Sequence, residues 1–241
     1  MKKFRIFLSL FMIGIAIIFL AAKKFMKNDT PALNEKGILS EIHYLPLGDS
    51  YTIGTGASVE TSWPQLLSNQ LNAEGVKTFL AVNPARNGFS TQDLIDYELP
   101  VLEKSDANFV TLLIGVNDWV RSVDKTTFEK NYGIILTAIQ KKLDANKNRI
   151  LLVTIPDFGV TPAGKNYSGG RDISKGIQEF NAVIKNYAAK YKLPLVDIYD
   201  ISLKMKDDST LVADDGLHPS AKEYAEWEKL IFADAKKLLV K

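Results

Sequence analysis

From residue 40 onward the chain alternates short apolar runs with longer amphipathic stretches, and this alternation restricts the possible folds more than any other feature. The runs Ile42–Leu47, Thr78–Val82, Phe109–Ile114, Ile150–Ile155 and Leu195–Ile198 have strand length and are rich in β-branched and aromatic residues. Apolar residues at turn spacing predict helices at Ser62–Ala73, Thr127–Leu143, Ile173–Tyr191 and Ser220–Leu239, with a shorter element at Thr91–Tyr97. Crossovers of that length between strands imply a mostly parallel sheet covered on both faces. The expected architecture is therefore α/β, a three-layer α/β/α sandwich around a five-stranded, mostly parallel sheet. At about 150 residues per domain, 241 residues leave room for one such body, residues 41–241, plus an appendage. In sheets of this kind binding sites form at the carboxyl ends of the strands, so chemistry is sought in the residues that follow each apolar run.

The appendage is N-terminal. Residues 6–22 are an uncharged apolar stretch bracketed by Lys2, Lys3 and Arg5 before and by Lys23 and Lys24 after. As a helix it would span about 26 Å, slightly less than the roughly 30 Å of a hydrocarbon core. Residues 1–27 therefore read as a signal peptide or a membrane anchor. Retention is favoured, because Leu20 and Lys23 occupy positions where a cleavage site around Ala21 and Ala22 would need small residues. Residues 28–40 form a polar linker to the body. The overall charge of +2 hides this asymmetry: six of the 30 basic residues precede residue 28 with no acid among them, leaving 24 against 28 acidic residues. A body of net charge −4 is poorly suited to phosphate neutralisation, so no nucleic-acid partner is expected. The absence of cysteine excludes disulfides, zinc–thiolate centres and a cysteine nucleophile.

The first apolar run leads into Gly48-Asp49-Ser50-Tyr51, which would place the Ser50 hydroxyl at the rim of the sheet. Taken alone, a G-D-S tripeptide there reads better as a helix cap. An imidazole base has little choice in this chain, since its only histidines are His43 and His218. His43 lies within the first strand and reads as structural. His218 sits in the loop Asp214-Asp215-Gly216-Leu217-His218-Pro219, where Asp215 can reach its ring, fix its tautomer and stabilise the imidazolium. Acyl transfer also needs donors for a developing oxyanion. The third run ends in Gly115-Val116-Asn117-Asp118, which offers the Asn117 amide, and the loop after the second run contains Gly88, whose N–H is a further candidate beside that of Ser50. Taken singly, these are an ordinary turn and a loop glycine.

Their order is more informative: G-D-S near the start, a glycine after the second strand, G-x-N-D after the third, and D-x-x-H-P near the end. This pattern resembles the SGNH hydrolases, the GDSL lipase/esterase family, over about residues 42–239. The resemblance implies a flavodoxin-like fold, Ser50 as nucleophile, His218 as base with Asp215 as its partner, and Ser50, Gly88 and Asn117 as oxyanion donors. It implies neither metal nor cofactor. The loop before Gly88, Pro84-Ala85-Arg86-Asn87, is bulkier than in many members. Members are esterases, lipases, thioesterases, lysophospholipases or carbohydrate deacetylases, so the expectation is an extracytoplasmic serine ester hydrolase acting on a small-molecule, lipid or envelope-polymer ester. The alternatives are a deacetylase or acyltransferase of cell-envelope polysaccharide, a lysophospholipase, or a silent glycan- or lipid-binding module. Tyr51, Phe89, Trp119 and Phe158 flank the strand ends as candidate substrate contacts, and the long segment Asp157–Asp172 as a candidate substrate-facing loop.

Overall fold

The computed structural model describes residues 41–240. The apolar stretch at 6–22 and the linker at 28–40 lie outside the described residues. Among the described residues, no helix is long and apolar enough to cross a membrane.

Five strands form one parallel sheet in the order β2-β1-β3-β4-β5, where β1 is Ile42–Gly48, β2 Thr78–Phe79, β3 Phe109–Leu113, β4 Ile150–Val153 and β5 Leu195–Val196. The three central strands are mostly apolar and buried along nearly their whole length, as strands covered on both faces require, and the one buried hydroxyl in β3, Thr111, pairs with the Tyr44 OH of β1 at 2.8 Å. Helix α1 (Ser50–Ile53) follows β1 directly, and α2 (Trp63–Ala73) crosses to β2. Residues 91–104 form α3, built from Thr91–Asp93, a π turn at Leu94–Glu98 and Leu99–Lys104. The short α4 (Val116–Val120) leaves β3, and α5 (Lys125–Lys142) runs to β4. Then come α6 (Ile173–Tyr191), the short α7 (Tyr199–Ser202) after β5, and the terminal α8 (Ala221–Leu239). The helices α2 and α8 pack together on one face of the sheet, while α3, α5 and α6 cover the other. This is the three-layer sandwich expected. Its strand order reverses direction at β1, so the carboxyl ends of β1 and β3 border the crevice where such sheets bind ligands.

Both outer strands are shorter than expected. The edge strand β2 is held at Thr78 by the Asn72 side chain, whose Nδ2 donates to Thr78 O at 2.8 Å while its Oδ1 accepts from Thr78 N at 2.9 Å. Beyond Phe79 the chain leaves β1, and Val82 is exposed. In β5 the ladder ends because Ile198 N–H donates to the Thr154 hydroxyl rather than to a strand carbonyl. The helix predicted at Thr91–Tyr97 instead continues to Lys104. Pro100 has no N–H to give, and a π turn, in which Leu99 N–H reaches back to Leu94 O, absorbs it without ending the helix.

Candidate active site

Ser50 is delivered by an abrupt turn at the end of β1. A Cβ on Gly48 would lie 2.2 Å from both Leu113 O and Thr52 Oγ1, so only glycine lets the strand end press against β3 and turn there. Asp49 caps α1, its carboxylate accepting from Tyr51 N–H at 3.0 Å. On the outer side, Gly48 N–H donates at 3.0 Å to Oε2 of Glu98, which the π turn carries in from α3. Glu98 thus supplies an acceptor where β2 has already ended. Ser50 itself is almost buried, at 6 % exposure. Standing in the first turn of its helix, its N–H has no intrahelical acceptor.

The second half of the site comes from the loop before α8. It is closed by the bridge between Val212 and Pro219 and by Ala213 N–H donating to His218 O at 2.8 Å. Inside it, Asp215 Oδ1 accepts from the N–H groups of Leu217 and His218 at 2.8 and 2.9 Å, and Oδ2 lies 2.6 Å from His218 Nδ1. With the Nδ1 proton directed at the carboxylate, Nε2 is the nitrogen left to accept a proton. Partial burial opposes ionisation of Asp215, but hydrogen bonds from His218 and Leu217 outweigh it and hold the carboxyl below its ordinary value. The imidazole meets the edge of the Tyr51 ring at 6.0 Å, which sets His218 beside the residue that follows Ser50. The Ser50 hydroxyl makes no hydrogen bond among the described residues. Contacts of this kind often tighten only in the substrate complex.

The third part lies where α4 meets the loop between β2 and α3. Asn117 Nδ2 donates to Phe89 O at 2.9 Å, which leaves the second N–H of that amide free to act. Next to it, the buried Asp118 carboxylate accepts from Thr91 N–H at 2.8 Å and from the Thr91 hydroxyl at 2.5 Å, locking α4 to the start of α3. Gly88 adopts φ +81°, a backbone conformation suited to glycine, and its carbonyl accepts from Arg121 Nη2 at 2.6 Å. The loop is tied to the Ser50 side by Asn83 Nδ2 donating to Thr52 O at 2.9 Å and by the Thr55 hydroxyl bonding Asn87. The structure therefore gathers Ser50, Gly88, Asn117, Asp215 and His218 at one edge of the sheet, with the Ser50 and Gly88 N–H groups unpaired among the described residues. His43 lies at the opposite, amino end of β1, paired with Asp106 at 2.6 Å.

The aromatic candidates separate. Tyr51, Trp119 and Phe158 are core side chains, at 3, 6 and 2 % exposure. Tyr51 packs on Trp227 and His218, and Trp119 meets Phe158 edge-on at 5.8 Å beneath the Arg171 guanidinium. All three pack into the core beside the site rather than lining an exposed surface. Phe89 is only half-buried and stacks at 5.7 Å on Tyr97, which is 63 % exposed. The segment 157–172 is not featureless, since it forms short 3-10 turns at Phe158–Val160 and Gly164–Tyr167. It joins the His218 loop through Ala163 N–H on Gly216 O, and the Asn117 helix through Arg171, which donates to Trp119 O and Val120 O. Among the described residues, no cluster of three or more His, Asp or Glu side chains is arranged to hold a metal ion. Sequence reasoning missed Glu98, Asp118 and Arg121. Asp118 stands inside the G-V-N-D block, but it passes there for a turn residue.

The chain matches the model of the GDSL-like lipase/acylhydrolase family over residues 47–225. It belongs to that family. Its relatives include thioesterase 1/protease 1/lysophospholipase L1 of Escherichia coli, 24 % identical over 177 residues that cover 73 % of this chain and 74 % of the relative. Among solved structures, esterase EstA from Pseudoalteromonas, inhibited by monoethylphosphonate, superposes with a TM-score of 0.61 at 22 % identity, covering 83 % of this chain and 99 % of that one. An acetyl xylan esterase, AlAXEase, gives 0.60 at 20 % identity over 80 % and 98 %. At these identities the structural likeness concerns the fold. The GDSL-like match spans all four motif blocks, from Gly48-Asp49-Ser50 to Asp215-Gly216-Leu217-His218.

Proposed function

We propose that this GDSL-family protein is a serine carboxylic-ester hydrolase that works through an acyl-enzyme outside the cytoplasmic membrane. The observation that carries the reading is the Asp215–His218 pair at 2.6 Å, set beside the Ser50–Tyr51 turn at the carboxyl edge of the sheet, where three candidate donor groups are unpaired among the described residues. His218 Nε2 takes the Ser50 proton as Oγ attacks the ester carbonyl. The N–H groups of Ser50 and Gly88 and the free N–H of Asn117 hold the oxyanion. The tetrahedral intermediate collapses, the His218 proton passes to the departing alcohol, and Ser50 keeps the acyl group. A water molecule, deprotonated by His218, then attacks the acyl-enzyme, and as the second intermediate collapses the His218 proton returns to Ser50 Oγ and the acid is released. Asp215 keeps the imidazole in the reactive tautomer throughout.

Labelling with a phosphonate ester tests this. The expected result is one adduct on Ser50, absent from Ser50→Ala and greatly slowed in His218→Ala; an adduct elsewhere, or undiminished hydrolysis by Ser50→Ala, would overturn the mechanism. The substrate is an ester of a small molecule, a lipid or an envelope polymer. A second reading, deacetylation of envelope polysaccharide, draws support from the exposed Phe89–Tyr97 stack, because sugar faces pack on such rings as readily as acyl chains do. Comparing p-nitrophenyl esters of increasing chain length with acetylated polysaccharide separates the two. The location rests on the apolar, basic-flanked stretch at residues 6–22.

A further inference from the structure

We propose that Arg121 is a positioning residue that sets the aim of the Gly88 N–H toward the oxyanion; the inference rests on the reading of Ser50, Gly88 and Asn117 given above. Gly88 lies in an irregular loop at φ +81°, with no side chain to lodge it. An N–H in such a loop stabilises a transition state only if the surrounding peptides hold still, because the effect comes from dipoles oriented before reaction. Two contacts supply that restraint. Asn117 Nδ2 holds Phe89 O at 2.9 Å, and Arg121 Nη2 holds Gly88 O at 2.6 Å. Both carbonyls are thereby engaged by side chains of α4 and of the residue that caps its carboxyl end, on the Asn117 side of the loop.

Arg121 is itself fixed from two directions. Its Nη1 donates to Asp93 Oδ2 at 2.8 Å, and that same oxygen accepts from Ser90 N–H at 2.8 Å and from the Ser90 hydroxyl at 2.7 Å, the capping box that opens α3. Its backbone N–H donates to Asn117 O at 3.0 Å, so α4 and its C-terminal cap carry one candidate oxyanion donor and the clamp on another. The planar fork of a guanidinium spans Gly88 O and Asp93 together, whereas a lysine ammonium is a single point charge on a flexible stem. The Arg121–Asp93 pair is substantially exposed, and pairs of that kind contribute little to stability, so its loss should register in catalysis before folding.

The test uses the full-length protein in mild detergent with p-nitrophenyl butyrate as probe. Arg121→Gln should lower kcat about 10- to 100-fold, below the roughly 10²–10³ lost when an oxyanion donor is removed outright. KM should stay within about twofold and Tm nearly unchanged. Inhibition by a trifluoromethyl ketone, whose serine adduct places an oxyanion among the donors, should weaken by the same factor as kcat/KM, a link that a merely structural arginine would not produce. Arg121→Lys, which preserves the charge, should regain only part of kcat, and it carries the test if the glutamine variant fails to fold. Wild-type kcat in Arg121→Gln, a loss confined to KM, or full recovery in Arg121→Lys would overturn the proposal. Ser50→Ala in the same assay separates the two levels: if it retains activity, the reading of the site itself has failed, and if it is inactive while Arg121→Gln is normal, only the role of Arg121 falls.

Discussion

Ser50 has little in its own side chain to distinguish it from a capping serine, and its proposed reactivity comes from neighbours that leave particular groups unspent. Its N–H is free because it opens a four-residue helix, and its hydroxyl is free because Asp49 takes over the capping hydrogen bond. Ser50→Ala should lower kcat by on the order of 10⁶, as loss of a serine nucleophile does in a triad enzyme, while far-ultraviolet dichroism stays unchanged. Hydrolysis near the wild-type rate would remove Ser50 from the mechanism. Asn117 spends one amide hydrogen on Phe89 O and keeps the other. Asn117→Ala should therefore cost roughly 10²–10³ in kcat with little change in KM; a deficit seen only in KM would make Asn117 a substrate contact instead. His218 was legible because two histidines leave so few choices, and Asp215 because three residues separate it from the ring. Arg121 and Glu98 were not, since their partners Gly88 and Gly48 lie 33 and 50 residues away and nothing local marks a tertiary contact.

At the scale of elements, the turn between β1 and α1 is built over buried acid. Asp49 Oδ2 and Glu98 Oε1 are both buried without a partner among the described residues. Burial pushes the Asp49 carboxyl up to about 8, the Tyr51 N–H offsets part of this, and the charge of Asp118 adds to it. Burial likewise raises Glu98 well above the ordinary range. For an acid whose folded value is raised from 3.8 to about 8, the folded chain keeps a proton that the unfolded chain releases between those values. Stability from Asp49 is thus fully present below about pH 4 and lost as the pH climbs through 8. Asp49→Asn has no proton to lose, so its Tm relative to wild type should rise by several degrees between about pH 5 and pH 9, about 1 kcal/mol corresponding to 2–4 °C in chains of this size. A constant difference across that range would show that the carboxyl is already ionised in the fold. The strand starts and most helix ends were readable because apolar periodicity and caps coincide: Ile173–Tyr191 begins after the Asp172 cap, and Ser62 and Ser220, read as first residues, are the caps themselves. The passage through Pro100 was not, because a proline after a helical run reads as a stop unless a π turn is known to precede it. Aromatic residues at strand ends were equally ambiguous, as a buried packing partner and a pocket wall share one local pattern.

For the whole molecule, the parallel sheet separates two ends. The described chain enters at Glu41, next to the amino end of β1, and the candidate site forms beyond Gly48 at its carboxyl end, about 23 Å away at roughly 3.3 Å per strand residue. Whatever precedes residue 41 therefore joins the body on the side opposite Ser50. If residues 6–22 anchor the protein, a coil with the 17 residues of Lys23–Leu39 would reach about 20–25 Å, enough to let a body of net charge −4 turn its working edge toward esters at or beyond the bilayer. Deleting residues 1–27 should then release a soluble protein whose kcat on a water-soluble ester equals that of the full chain, because no group of the site lies near the junction. Activity on esters embedded in vesicles should fall instead, since the deletion removes only the local concentration that tethering supplies. Fractionation completes the test: the full-length protein should pellet with membranes and be cut by protease added to intact protoplasts. Full-length protein in the cytosol would sink both the anchor and the signal-peptide readings, whereas a shortened form in the medium would sink the anchor alone.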